Sequence, residues 1–522
     1  MELIIINAAK YMILFAGIFF TALTVFGTIK GDHYKGMAVF HVQMLMIAVI
    51  QICALAVVAV RLQSVEVTVF YVGQIAFILV YRILFRTVYK QSNRNLLAIM
   101  LFCISIGMIS MTRLDFDKAC KQFVIVCVFS ILSLVVPVLT RKLTHVKVLA
   151  GTLGVLGLIS LIAVPLIGST EYGANLSIAL GTFSFQPSEF VKITFVLLIA
   201  VLLRKRDDFR RVCFATCIAA VHVLVLVIST DLGGALIFFL TYLCMLQVAT
   251  GKPVYLVLGL AVGCVAGFLA YRMFSHVRVR VAAWRNPWSA IDTSGYQIAQ
   301  SLFAIGSGGW FGTGLYEGSA NTIPVVIKDY IFSAVAEEFG GIFAICLMIN
   351  FFCCFCQFLL IASKFTVRYF RLIGTGLSAI YGIQTCLSIG GVIKFIPATG
   401  VTLPLISYGG SSVCSTLLMF GLMQGLYLIH HNEEERHRLE QTKQYMIPQT
   451  FPQAANGTAP VQGSQGQKTV PFQNSQGHGS MPSQNTQSTR QPQSTGWNPE
   501  YQNWQYRESV KEKDDQSNTG GI

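Results

Sequence analysis

Long apolar runs broken at intervals by short polar segments make up most of the chain. A bilayer-crossing helix needs about 20 mostly apolar residues, and windows of that size give roughly thirteen runs. They begin near Ile4, Met37, Val67, Leu96, Gln122, Val146, Ser188, Val212, Leu232, Val254, Tyr330, Leu372 and Leu405. The expected fold class is therefore an all-α polytopic membrane protein. The turn after the third run carries Arg82, Arg86, Lys90 and Arg94, and basic turns favour the cytoplasmic side. That choice puts segments 140–147, 204–211, 251–252 and 364–371 and the C-terminal tail inside. It puts 112–121, 168–185, 275–329 and 391–404 outside, with the N-terminus external and the C-terminus cytoplasmic. The first 27 residues have neither a basic leader nor a small-residue cleavage site and read as a retained helix.

From about Gln441 the composition turns to Gln, Ser, Asn, Gly, Pro and Thr. Such a segment buries too little apolar area to offset the entropy of ordering, so residues 432–522 are expected to be a disordered cytoplasmic tail whose first part extends the last helix. The 522-residue chain is 54% hydrophobic and 12% charged, with mean hydropathy +0.61. That charge is about half the roughly 25% of an ordinary soluble protein, which argues against a water-soluble enzyme. Lys and Arg exceed Asp and Glu by 38 to 24, and the tail from Asn432 is nearly balanced, so the excess lies among the spans. There it reads as membrane anchoring, and no nucleic-acid partner is expected. The 14 cysteines sit in apolar runs without metal-site spacing and read as small, reduced core residues.

Three polar regions carry candidate chemistry. In segment 275–329, Arg278, Arg280 and Arg285 stand beside Trp284 and Trp288. Guanidinium forks suit phosphate oxygens and indoles suit the headgroup layer, so a phosphorylated lipid is the natural ligand and simple interfacial anchoring the alternative. Dense glycines follow, then Lys328 and Asp329, and Glu337 and Glu338, which would be costly in lipid and need a polar cavity or a basic partner such as Lys328 or Arg285. The second region is Phe185-Gln-Pro-Ser-Glu-Phe-Val-Lys192, where Pro187 opens a helix and Glu189 and Lys192 fall three apart on one face. The third, from Pro397 through Gly400 and Pro404 to Ser407, Ser411 and Ser412, is a broken, hydroxyl-rich entry to a span, tolerated only against protein or a wet cavity.

These stretches resemble a known family, the shape, elongation, division and sporulation (SEDS) proteins that include FtsW, RodA and SpoVE. The resemblance rests on Phe185 to Lys192, Thr230-Asp-Leu-Gly-Gly-Ala235, Gly295-Tyr-Gln297 with Gln300 to Gly309, Lys328-Asp-Tyr-Ile-Phe332 with Glu337-Glu338, and Pro397 to Ser412, in family order between about Leu96 and Ile429. It implies a ten-helix core over residues 96–431 with about three extra N-terminal helices in 1–95. It also implies peptidoglycan glycosyltransferase activity, in which the sugar of lipid II joins a growing glycan strand outside the membrane, for elongation, division or sporulation. A class B penicillin-binding transpeptidase is the partner the resemblance implies.

Such a reaction needs a carboxylate to take the acceptor hydroxyl's proton, and positive charge for the departing pyrophosphate from Arg, Lys or a divalent ion, magnesium or manganese. The family pattern places the essential aspartate two residues after Asn-Pro-Trp, which here is Ala290; the nearest carboxylate is Asp292, the expected catalytic base. Ser177 stands where relatives carry tryptophan. Arg278, Arg280 and Arg285 are the expected pyrophosphate contacts. Glu189, Lys192, Lys328, Asp329, Glu337, Glu338, Ser407 and Ser411 are expected to shape the substrate cavity, with no metal ligands assigned. The two departures leave open a catalytically weakened paralogue that scaffolds a transpeptidase, and the many spans leave open a lipid II flippase.

Overall fold

The computed structural model describes residues 2–31, 37–143, 147–167, 169–171, 174–180, 183–205 and 209–446. The expected tail beyond residue 446 lies outside them. Three helices come first: α1 (Glu2–Lys30), α2 (Met37–Arg61) and α3 (Val65–Val88). They are followed by α4 (Arg94–Leu114), α5 (Phe116–Leu143) and α6 (Lys147–Ile167). A small antiparallel sheet, β1 (Ser169–Glu171), β2 (Ala174–Leu180) and β3 (Phe183–Phe185), precedes α7 (Pro187–Leu202). Then come α8 (Phe209–Ile228), α9 (Leu232–Thr250) and α10 (Pro253–Met273). After two helices on one face of the bundle, α11 (Ser275–Arg285) and α12 (Tyr296–Gly308), the chain forms α13 (Ile331–Phe339), α14 (Gly341–Ser363), α15 (Arg368–Val392) and α16 (Gly410–Met446).

Twelve of these helices are long and apolar enough to cross a membrane, and the 16-residue α7 adds the thirteenth expected run. The starts follow local chemistry. Asn93 accepts the Leu96 amide at 3.0 Å to open α4, Asp231 accepts the Gly234 amide at 2.8 Å to open α9, and Pro187 occupies the first turn of α7, where its missing N–H is no loss. The run expected from Tyr330 is not one helix. Gly340, at φ +92°, ends α13 and lets α14 start in a new direction. Segment 275–329, read as a loop, contains the helices α11 and α12, and segment 168–185 holds the three strands.

Helix α4 is the hub, buried at every position from Leu96 to Thr112. Lipid-facing α10 buries none of its residues, as expected of a helix whose solvent is hydrocarbon. Polar stitches hold α1–α3 to the rest: Gln43 donates to Asn95 at 2.8 Å, Gln51 to Ser105 at 2.8 Å, Gln74 to Thr112 at 3.3 Å, and Asn350 to Thr21 at 2.7 Å. In an apolar medium each such bond is worth roughly 0.6–2 kcal/mol. Arg61 reaches Glu2 at 3.0 Å and Glu317 at 3.5 Å, and Arg113 reaches Glu338 at 2.8 Å. These contacts put the N-terminal end of α1, the ends of α2 and α4, and segment 275–340 on one face, the loop face.

Candidate functional site

The loop face is built by laying α11 across the broken stretch between α15 and α16. The Trp284 indole donates to the Lys394 carbonyl at 3.1 Å and the Arg280 guanidinium to the Ala398 carbonyl at 3.2 Å. On its other side this stretch is pinned by backbone: the Tyr408 amide donates to the Ile327 carbonyl at 2.8 Å. Gly107 of α4 lets the turn come this close, since a Cβ there would lie 2.7 Å from the Leu405 carbonyl oxygen.

Between these pieces is a cavity of about 210 Å³, whose lining includes Arg280, Ser294, Gln297, Asp329, Ser388 and Thr399. Gly400, at φ +73°, sits at its charged corner: a Cβ added there would lie 3.7 Å from the Arg280 guanidinium and 3.8 Å from Asp329 Oδ2. Burial raises the Asp329 carboxyl above the ordinary value of 3.8, while the nearby Arg280 and Lys328 charges pull it down. The cavity thus places a cation and a carboxylate that resists ionisation within reach of one small space. That is the combination needed to hold an anion and accept a proton.

The other expected residues fall elsewhere. Asp292 is exposed on the turn between Ala290 and Gly295, makes no hydrogen bond or ion pair among the described residues, and does not line the cavity, although Ser294 two positions on does. All three arginines are exposed on α11, and of them Arg280 alone lines the cavity. Ala290, where the family pattern has its aspartate, contributes its carbonyl to the Gly295 amide at 2.9 Å. Ser177 is buried in β2, opposite Ser169.

Glu337 and Glu338 are buried stitches of the loop face. Glu337 Oε1 accepts from the Ser319 amide at 2.9 Å and the Ser307 hydroxyl at 3.2 Å; Glu338 takes Arg113 at 2.8 Å, and Arg113 also donates to the Gly318 carbonyl at 2.7 Å. Burial raises the Glu338 carboxyl and Arg113 lowers it. The basic partner expected from Lys328 or Arg285 is thus Arg113, which lies 225 residues away in sequence and has no local signature. Ser407 accepts the Leu403 amide at 2.9 Å, and Ser411 accepts the Gln186 amide at 3.0 Å, so both hydroxyls fix the broken stretch.

Glu189 and Lys192 form a separate buried centre. Lys192 donates to Glu189 at 2.9 Å and to Gln384 of α15 at 2.7 Å, and Ser415 of α16 donates to Glu189 at 3.0 Å. Three helices therefore share one satisfied charge pair. Among the described residues no three His, Cys, Asp or Glu side chains converge on one point, and Asp329 is bordered by cations.

An all-helical polytopic bundle with a cation–carboxylate cavity on one face is the architecture of a multi-pass membrane protein. The sequence model of the FTSW_RODA_SPOVE family, described as cell cycle protein, matches residues 92–434, and the chain belongs to that family. It is 33% identical over 299 residues to the peptidoglycan glycosyltransferase RodA of Mycobacterium tuberculosis, a match covering 54% of this chain and 64% of that protein. It is 34% identical over 285 residues to the probable peptidoglycan glycosyltransferase FtsW of Saccharophagus degradans, covering 52% of this chain and 72% of that protein. In fold it is similar to a chain solved in a study of polymerisation and crosslinking by a peptidoglycan synthase complex, with a TM-score of 0.58 at 23% identity, covering 65% of this chain and 98% of that one. Helices α1–α3 precede the matched family region.

Proposed function

We propose that this protein is a peptidoglycan glycosyltransferase that polymerises lipid II at the loop face, which faces the outside of the bacterial cell membrane, with the C-terminus in the cytoplasm. The observation that carries the reading is the shared cavity of Arg280 and Asp329. Asp329 takes the proton from the attacking sugar hydroxyl as the new glycosidic bond forms, and Arg280 draws the leaving undecaprenyl pyrophosphate by charge. A base held above the ordinary carboxylate range accepts protons better near neutral pH, which favours Asp329 over exposed Asp292. Kinship with RodA and FtsW supports the substrate class, and a class B penicillin-binding transpeptidase is the partner proposed on the same ground. Any magnesium or manganese ion would arrive with the pyrophosphate.

A second reading, a non-catalytic scaffold that binds lipid II and a transpeptidase, is favoured by one observation: Ala290 occupies the position of the family aspartate. Glycan-chain formation from labelled lipid II by the purified protein separates the two. The enzyme reading expects chains from the unaltered protein and little gain from Ala290→Asp. No chains from the unaltered protein, with synthesis appearing in Ala290→Asp, would establish the scaffold. Lipid II flipping ranks behind both, because the cation–carboxylate cavity lies at the surface of the bundle.

A further inference from the structure

On the opposite face, where α1 ends and α2 begins, the N-terminal helices and the family-matched helices together enclose a larger cavity of about 860 Å³. Its floor is a polar seam: Asn95 donates to Thr28 at 3.3 Å and Gln357 donates to Thr28 at 3.1 Å. Gln357 is 4% exposed, lines the cavity, and has no partner for its carbonyl oxygen among the described residues. A buried amide oxygen without a donor costs about 1–3 kcal/mol, a cost that a ligand O–H or N–H entering the seam would relieve.

The rim is cationic. Among the described residues Lys30, Lys90, Arg94, Lys364 and Arg438 line it against Glu434 and Glu435; Glu435 accepts from Gln91 at 3.0 Å, and Glu434 lies 3.8 Å from His430 and within electrostatic reach of Lys364. Met37 and Phe40 at the start of α2 and Leu360 near the end of α14 supply an apolar wall. An anion for the rim, hydroxyl donors for Gln357 and a hydrocarbon stem for the wall are the three features of an anionic glycerophospholipid headgroup.

We propose that this cavity binds a phosphoglycerol group, either as the headgroup of an anionic lipid or as the free glycerol phosphate. Because α1 and α2 form one wall, the site depends on helices that lie outside the family-matched region. The proposal is independent of the loop-face reading.

The test uses the full chain in detergent micelles and measures binding of fluorescent phosphatidylglycerol and phosphatidylcholine. Phosphatidylglycerol should bind more tightly, and its affinity should fall as salt rises, a measurement on the unaltered protein that no folding defect can confound. Replacing Lys30, Lys90 and Arg438 together by alanine should weaken it about 100-fold. Displacement by glycerol 3-phosphate assigns the site to the free compound, and failure to displace assigns it to the lipid; either supports phosphoglycerol recognition. Equal binding of the two lipids, or salt-independent binding, would overturn it.

Discussion

The two charged centres of this protein use the same chemistry to different ends. At Glu189–Lys192 the two charges answer each other: the ion pair closes at 2.9 Å, with Gln384 on Lys192 and Ser415 on Glu189, within the packed interior. At Arg280–Asp329 the charges face a cavity, and Arg280 is held through a backbone carbonyl. A satisfied pair fixes helices in place, whereas a carboxylate beside open space is available to a substrate. The same contrast separates Glu338, committed to Arg113, from Asp329 a few residues earlier.

The contrast can be broken most forcefully at the closed centre. Lys192→Met leaves Glu189 buried without its cation, a change that typically costs about 3–5 kcal/mol. A large fall in the thermal unfolding midpoint in detergent should follow, and an unchanged midpoint would deny the pair its structural role. At the open centre the expectation concerns pH. Burial raises Asp329 above its ordinary value of 3.8, so the folded state holds that proton more tightly than the unfolded chain. Stability should therefore fall as pH rises from about that value through the raised one, and then level off. Polymerisation should rise over the same window as the base ionises, and Asp329→Asn should flatten the stability curve there.

Smaller effects sharpen the comparison. Gly400→Ala puts a side chain at φ +73° beside Arg280 and Asp329, so it should cost roughly 1–2 kcal/mol in unfolding and slow polymerisation. Ser411→Ala removes one hydrogen bond to the Gln186 amide and should cost about 1 kcal/mol in the same assay with little effect on rate.

What could be read from sequence follows the range of each interaction. The spans were legible because bilayer thickness imposes a length on apolar runs, and Glu189 with Lys192 was legible because three residues make nearly one helical turn. The break at Gly340 was hidden because the apolar run resumes at once after Gly341, and the helices α11 and α12 were hidden by their short length and mixed polar composition. Long-range partners left no local trace. Arg113 reaches Glu338 across the bundle, and Asp329 is singled out from Asp292 only when α11 and the stretch after α15 fold over it. Spacing from Asn-Pro-Trp pointed to the exposed carboxylate, whereas the base proposed here is the enclosed one, which only tertiary packing brings beside Arg280.

The most direct test is the rate of glycan-chain formation from labelled lipid II by two purified single variants. Asp329→Asn should lower the rate by about 100-fold or more, the usual worth of a general base, and Asp292→Ala should leave it within a few-fold of the unaltered protein. The reverse pattern, with Asp292→Ala inactive and Asp329→Asn active, would contradict the account.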